Sequence, residues 1–384
     1  MMRWAVLLFC TLLAACASAP PPPPAPTQLF RDDLFSAPAQ PIRADDIFAL
    51  TDDMKHYVDV EIAYQLRSKG EQKGLFDALY SKHQLKLEYD SDRTRTAAEA
   101  FEARSGNCLS LVIMTAALAK HLNLPVSYQS VYTDEIWTRN HETYFASGHV
   151  NLVLGKRPLG NVNSSDRLAT WTIDFLPPED TAGQRTRLIS EDTIVAMFMN
   201  NRAAETMAAG QLDAAYWWAR AALDHTPGFL NSYNTLGVIY MRRGQPALAE
   251  VALNHLLQRD PTSTVAMSNL VRVLQMQGRT DESRELARQL AKIDPEPPYH
   301  FFELGQAAMK AGDTQAARDW FAKEVARAPY HAEFHFWLAV ADFRLGLLEE
   351  ARQHLAIAQQ NSTRRSEQQL YAAKLDYLRQ MGLQ

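Results

Sequence analysis

Glycine recurs at positions 210, 244, 278, 312 and 346, a spacing of 34 residues held four times without slippage. Proline follows in the same register at 227, 261, 295 and 329, with Thr363 in the fifth equivalent place. A fixed period of this length belongs to units that cannot bury their apolar faces alone and must stack on their neighbours. Within each unit apolar residues return every three or four positions, the spacing of a helix face. Each unit is therefore expected to be two helices, with glycine ending the first and proline stopping the second. Ala215, Ser283, Ala317 and Ala351 keep a small residue where the two helices cross.

The period, together with Tyr233, Leu236, Gly237, Tyr240, Ala249 and Pro261 in the second unit, resembles the tetratricopeptide repeat. The resemblance implies five repeats over residues 196–363, forming an all-α solenoid. Residues 364–384, with Leu370, Leu375 and Leu378 among charges, read as the capping helix such arrays require. Spacing brings Asn231, Asn234, Val238 and Met241, then Tyr299, Phe302, Gln306 and Met309, then Phe336, Val340 and Phe343 to one surface. The family uses that surface as a peptide groove, which implies a protein partner. Packing between repeats is the other reading of the aromatics. No ordered set of Lys and Asn stands ready to clamp a terminal carboxylate.

At the other end, Arg3 precedes an apolar run from Trp4 to Ala15, about twelve residues against the roughly 20 that a membrane span needs. It reads as a signal peptide. Its end, Leu13-Ala14-Ala15-Cys16, resembles the bacterial lipobox, which implies a diacylated Cys16 heading the mature chain. Simple cleavage with Cys16 incidental is the alternative. Lipoprotein modification supplies several acyl chains and so a stable anchor. Ala17 rather than Asp after the lipidated position implies the outer membrane of a Gram-negative envelope, facing the periplasm. Residues 17–41 are rich in Ala, Ser and Pro, with Pro20 to Pro24 unbroken, and predict an extended polyproline tether. The formal net charge of -5 leaves no basic excess, so neither DNA nor RNA is expected as a partner.

The chain has three cysteines. Processing removes Cys10 and lipidates Cys16, leaving Cys108 as the only free thiol in an oxidising compartment, where an idle cysteine is a hazard. Between tether and array, residues 42–195 mix helical and strand patterns. Asp53 to Gln65, Lys73 to Ser81 and Thr96 to Arg104 read as helices. Ser105-Gly106-Asn107 then forms a turn, and Cys108 opens a run to Leu122 that is apolar nearly all round, predicting a helix buried at the centre of the domain. A cysteine in the first turn of a helix sees the positive end of the macrodipole, which favours the thiolate. A small core hydrophobe is the plain alternative.

Val126 to Val131 predicts a strand, Ser147-Gly148-His149 leads into a second through Leu154, and Ala169 to Phe175 alternates as a third. Antiparallel pairing of the last two sets His149 beside Asp174. With the cysteine helix packed on that sheet, Cys108, His149 and Asp174 can form a triad in which the imidazole takes the thiol proton and the carboxylate fixes its tautomer. His141 competes from a charged stretch, and His121 lies some thirteen residues along the cysteine's own helix. Asp166 and Asp180 have no strand to hold them.

Gly106-Asn107-Cys108, a histidine at a strand head 41 residues on, and Ile173-Asp174 a further 25 on resemble the transglutaminase-like superfamily. The resemblance covers roughly residues 42–190. It implies an α+β, papain-like fold with Cys108 as nucleophile, His149 as base and then acid, and Asp174 as orienting carboxylate. Many members carry Trp two residues after the histidine, where this chain has Asn151. No cofactor is implied, and no metal-ligand spacing is present. The oxyanion hole is expected to include the backbone N–H of Cys108. The expected activity is that of an envelope-anchored thiol hydrolase or acyltransferase (protease, amidase or transferase) acting on a protein or peptide amide, with the repeats docking substrate or partner. The alternative is a scaffold in which both domains only bind.

Overall fold

The computed structural model describes residues 23–80, 85, 87–91, 93–140, 143–155, 170–175, 185–362 and 365–381. The lipobox, His141, Asp166 and Asp180 lie outside the described residues.

Three short helices open the N-terminal region: α1 (Asp52–His56), α2 (Ala63–Lys69) and α3 (Glu71–Tyr80). The single helix predicted from Asp53 is broken, since α1 runs into a π turn at Tyr57–Glu61 before α2 begins. Strand β1 (Glu88–Tyr89), helix α4 (Ala97–Ala103) and strand β2 (Ser105–Gly106) follow, with β1 and β2 paired in parallel. Helix α5 (Cys108–His121) is next. Strands β3 (Val126–Asn140), β4 (Thr143–Leu154), β5 (Trp171–Ile173) and β6 (Arg185–Ile189) form an antiparallel sheet in the order β5-β4-β3-β6.

The apolar run behind Cys108 puts α5 at the centre. Leu109 through Ala119 are all buried. Around them pack Leu75 and Leu79 of α3, Val150, Leu152 and Leu154 of β4, and Ile173 of β5. At about 1.5–3 kcal/mol for each large side chain fully buried, no exposed position for this helix competes. His149 and Asn151 take the alternating positions of β4, as strand geometry requires.

Beyond the sheet lie five helical hairpins: α6 (Glu191–Ala208) with α7 (Leu212–His225), α8 (Leu230–Arg242) with α9 (Pro246–Leu257), α10 (Thr264–Met276) with α11 (Thr280–Ile293), α12 (His300–Ala311) with α13 (Thr314–Arg327), and α14 (Ala332–Arg344) with α15 (Leu348–Asn361). Helix α16 (Arg365–Met381) closes the series. The glycine register has a backbone cause: all five glycines adopt left-handed φ between 73° and 83° after the first helix of each pair, a conformation that costs other residues roughly 1–2 kcal/mol. Ala215, Ser283, Ala317 and Ala351 are buried at the crossings. On α16, Leu375 and Leu378 are buried with Tyr371, whereas Leu370 is exposed.

Two further sequence expectations are revised. Val238, Tyr299 and Phe302 do not line an open groove, because they are at most 1% exposed. Tyr299 and Phe302 pack with Phe321 and Phe334 between repeats. Nor do residues 17–41 form a tether throughout. Thr27–Leu29 and Asp32–Leu34 make two 3-10 turns whose Leu29 and Phe35 are buried against the first hairpins, since apolar side chains in a proline-rich segment still gain by leaving water.

The two regions share a core. Ile194, Val195, Phe198 and Met199 of α6 pack into the cluster around α5, so the first hairpin is a wall of the N-terminal domain as well as the start of the array.

Candidate active site

Each residue around Cys108 has a local reason to be there. Gly106 ends β2 where a Cβ would stand 2.6 Å from the Cβ of Ser110, so only glycine fits. Asn107 is the N-cap of α5, its Oδ1 accepting from the Ser110 backbone N–H at 2.9 Å and the Ser110 hydroxyl at 2.8 Å. That cap places Cys108 at the first helical position, half-buried, beside the positive end of the helix dipole.

The cap is itself held from outside. Asn107 Nδ2 donates to the Thr94 hydroxyl at 2.9 Å, and Asn201 Nδ2 of α6 donates to the same oxygen at 3.2 Å. The Thr94 backbone N–H donates to Glu205 Oε1, also on α6, at 2.7 Å. Burial raises the Glu205 carboxyl above its usual range, against the hydrogen bonds from Thr94. Two residues of the helical array, Asn201 and Glu205, therefore brace the loop behind the Asn107 cap that positions Cys108. Nothing in local sequence pattern signals this.

His149 and Asp174 meet as the strand reading anticipated. Leu152 pairs with Ile173 across β4 and β5, which brings His149 Nε2 to 2.7 Å from Asp174 Oδ1. The imidazole is buried at 1% exposure. Burial pushes its pKa down, but the Asp174 carboxylate and the Cys108 thiol outweigh that and raise it to about 9. With Nε2 engaged, Nδ1 is the nitrogen left for the thiol. It is buried on the side of the Cys108 thiol, which contributes to the raised pKa.

Asn151, two residues after His149 on β4, has a place in this geometry. Its Nδ2 donates to Asp174 Oδ2 at 2.9 Å, so the two carboxylate oxygens are divided between His149 and Asn151. Tyr80 donates its hydroxyl to the Asp174 carbonyl at 2.6 Å, fixing the backbone that carries the carboxylate.

Tyr89 was missed by sequence reasoning. Paired opposite Gly106 across β1 and β2, it sets its hydroxyl against the thiol and backbone N–H of Cys108. Burial, with the thiol beside it, raises the phenol far above its usual value and keeps it a neutral donor. The competing His121 stands elsewhere, its Nε2 2.9 Å from Asp59 Oδ1, at the far end of α5.

Family models of the tetratricopeptide repeat match residues 230–263, 268–332 and 332–356. The C-terminal half thus carries tetratricopeptide repeats, a module that binds proteins, behind a mixed α/β region with a small antiparallel sheet. Among solved structures, a thermophilic repeat protein of Thermus thermophilus is similar at 17% identity and TM-score 0.32, covering 47% of this chain and 98% of its own. PilF of Pseudomonas aeruginosa is similar at 17% identity and TM-score 0.31, covering 50% and 87%. No curated protein matches. The three family matches all lie C-terminal to the Cys108 site.

Proposed function

We propose that residues 42–195 form a transglutaminase-like thiol enzyme acting on a protein or peptide amide, with the repeats docking the substrate or a partner. The observation that carries this reading is the buried His149–Asp174 hydrogen bond beside a cysteine capped at a helix start. The arrangement favours an enzyme over a binding scaffold because an imidazole held by a carboxylate beside a lone thiol can take and return that thiol's proton, which binding does not call for.

The chemistry follows from the geometry. With the proton on His149, the Cys108 thiolate attacks the amide carbonyl carbon and the carbonyl electron pair moves to oxygen. The Tyr89 hydroxyl beside the thiol, and the backbone N–H of Cys108 once it turns from that hydroxyl, receive the oxyanion. Collapse breaks the C–N bond as His149 Nδ1 gives its proton to the departing amine, leaving a thioester on Cys108. His149 then takes a proton from water or from a second amine, which attacks the thioester and releases the acyl group. Asp174 holds the ring with Nδ1 toward the thiol throughout.

Alkylation by iodoacetamide at neutral pH tests the site without a known substrate. Cys108 should react rapidly in the native protein and at least about tenfold more slowly in His149→Ala, since that imidazole stabilises the thiolate. Equal rates in both proteins, or an inert thiol in the native one, would leave the scaffold reading in its place.

The same proposal puts the chain in the cell envelope, anchored through Cys16 at the outer membrane. Expressed in a Gram-negative host, the native chain should sediment with membranes, and Cys16→Ser should yield an uncleaved or soluble species. A variant that sediments as completely as the native chain removes the lipid anchor from the account.

A further inference from the structure

The first two hairpins hold a segment of the chain's own N-terminal region as a receptor holds a peptide. Residues 29–36, Leu-Phe-Arg-Asp-Asp-Leu-Phe-Ser, lie across α7 and the end of α8. Two buried phenols read the backbone. The Arg31 N–H donates to the Tyr216 and Tyr240 hydroxyls at 3.0 and 3.1 Å, while Tyr240 donates to the Leu29 carbonyl at 2.7 Å. Trp217 Nε1 donates to the Ser36 carbonyl at 2.7 Å, and Arg243 Nη2 to that of Leu34 at 2.6 Å.

Side chains supply the selectivity. Phe35 stacks on Tyr216 with ring centroids 4.0 Å apart and planes 1° from parallel. Asp32 accepts from the Tyr216 hydroxyl at 2.5 Å, with Arg220 Nε 3.5 Å away. The Arg220 guanidinium lies 3.9 Å over the Phe30 ring. Arg220 thus faces Asp32 between two aromatic residues, while Arg243 pairs with Asp213 of α7 and Asp33 pairs with Arg31 of its own segment. Ala37 to Pro41 beyond it are exposed linker.

We propose that Tyr216, Trp217, Arg220, Tyr240 and Arg243 form a peptide-recognition site for a segment carrying an aspartate flanked by aromatic residues, occupied in cis by residues 29–36. A partner presenting the same pattern binds there by displacing this segment. The site lies on α7 and the end of α8, and it does not depend on the catalytic reading. A short linker gives the cis segment an effective concentration on the order of millimolar. The intact chain should therefore resist a free peptide that a chain with a weakened segment accepts.

The test is fluorescence anisotropy with a labelled peptide of residues 25–38. The full-length double variant Phe30→Ala/Phe35→Ala should bind it at least about tenfold more tightly than the native chain. A peptide carrying Asp32→Ala and Phe35→Ala should lose at least about tenfold in affinity for the same protein. No binding to the variant while its helical circular dichroism is retained, or equal binding of the two peptides, overturns the proposal. If the variant loses its helical signal, hydrogen exchange in the native chain decides instead. The Arg31 amide should be protected and should exchange at least about tenfold faster in Tyr240→Phe, whereas an unprotected Arg31 amide in the native chain is the contrary result.

Discussion

Replacing Cys108 with alanine is expected to abolish amide turnover, by about 10⁴-fold or more, while the helical and near-ultraviolet circular dichroism stay native. The fold should survive because Cys108 is only half-buried at the start of α5, while the cap that begins the helix belongs to Asn107. His149→Ala should lower kcat/KM by about 10²–10⁴-fold, the range of a lost general base. The double variant should be no worse than Cys108→Ala alone, because a base with no nucleophile has nothing to activate. The measurement is kcat/KM for the three variants on one amide substrate, beside the alkylation rate of the remaining thiol. Should His149→Ala keep native turnover and thiol reactivity while His141→Ala loses both, His141 is the base and the pairing of β4 with β5 does not build the site.

Asp174→Asn carries the second large effect, and the structure changes its expected size. From sequence alone the change looks mild, since an amide can still orient the ring. Asn151 alters that expectation. Its Nδ2 already donates to Asp174 Oδ2, so while Asn151 keeps that orientation an amide at 174 turns its carbonyl toward Asn151 and its NH₂ toward His149 Nε2. Nε2 must then accept, which puts the imidazole proton on Nδ1, the nitrogen that has to take the thiol proton. The single variant should lose about 10²–10⁴-fold in kcat/KM, as when a triad histidine is forced into the wrong tautomer. Asp174→Asn/Asn151→Ala should recover at least about tenfold of that loss, because the amide is free to turn its carbonyl to the ring. A double variant less active than Asp174→Asn shows that Asn151 does not set the tautomer.

The same carboxylate sets the alkaline limb of activity. Catalysis needs the proton on His149 to reach the leaving amine. kcat/KM should therefore fall as pH rises through about 9, where the raised imidazolium deprotonates. In Asp174→Asn that limb should move to lower pH, since the hydrogen bond to Asp174 is among the contributions that hold the ring charged. Such limbs belong to the coupled thiol and imidazole together, so the direction of the displacement is the test.

Much of this was legible in order along the chain. The glycine register at 210, 244, 278, 312 and 346 determined a stacked helical array by itself, because each position requires a left-handed backbone and a repeated local requirement is written directly in sequence. The apolar run from Leu109 likewise determined a central helix, and the Gly106-Asn107-Cys108 turn determined its start. Alternation in the strands was enough to suggest His149 beside Asp174. What only the tertiary structure decided is whatever joins residues distant in sequence through side chains with no periodic signature. Asn151 became a partner of Asp174, Tyr89 reached Cys108 from another strand, and Glu205 of the array came to brace Thr94 behind the Asn107 cap. Residues 29–36 looked like tether because composition carries no information about what a segment will meet. Tyr216 and Tyr240, some 180 to 210 positions away, supplied the surface that folded them.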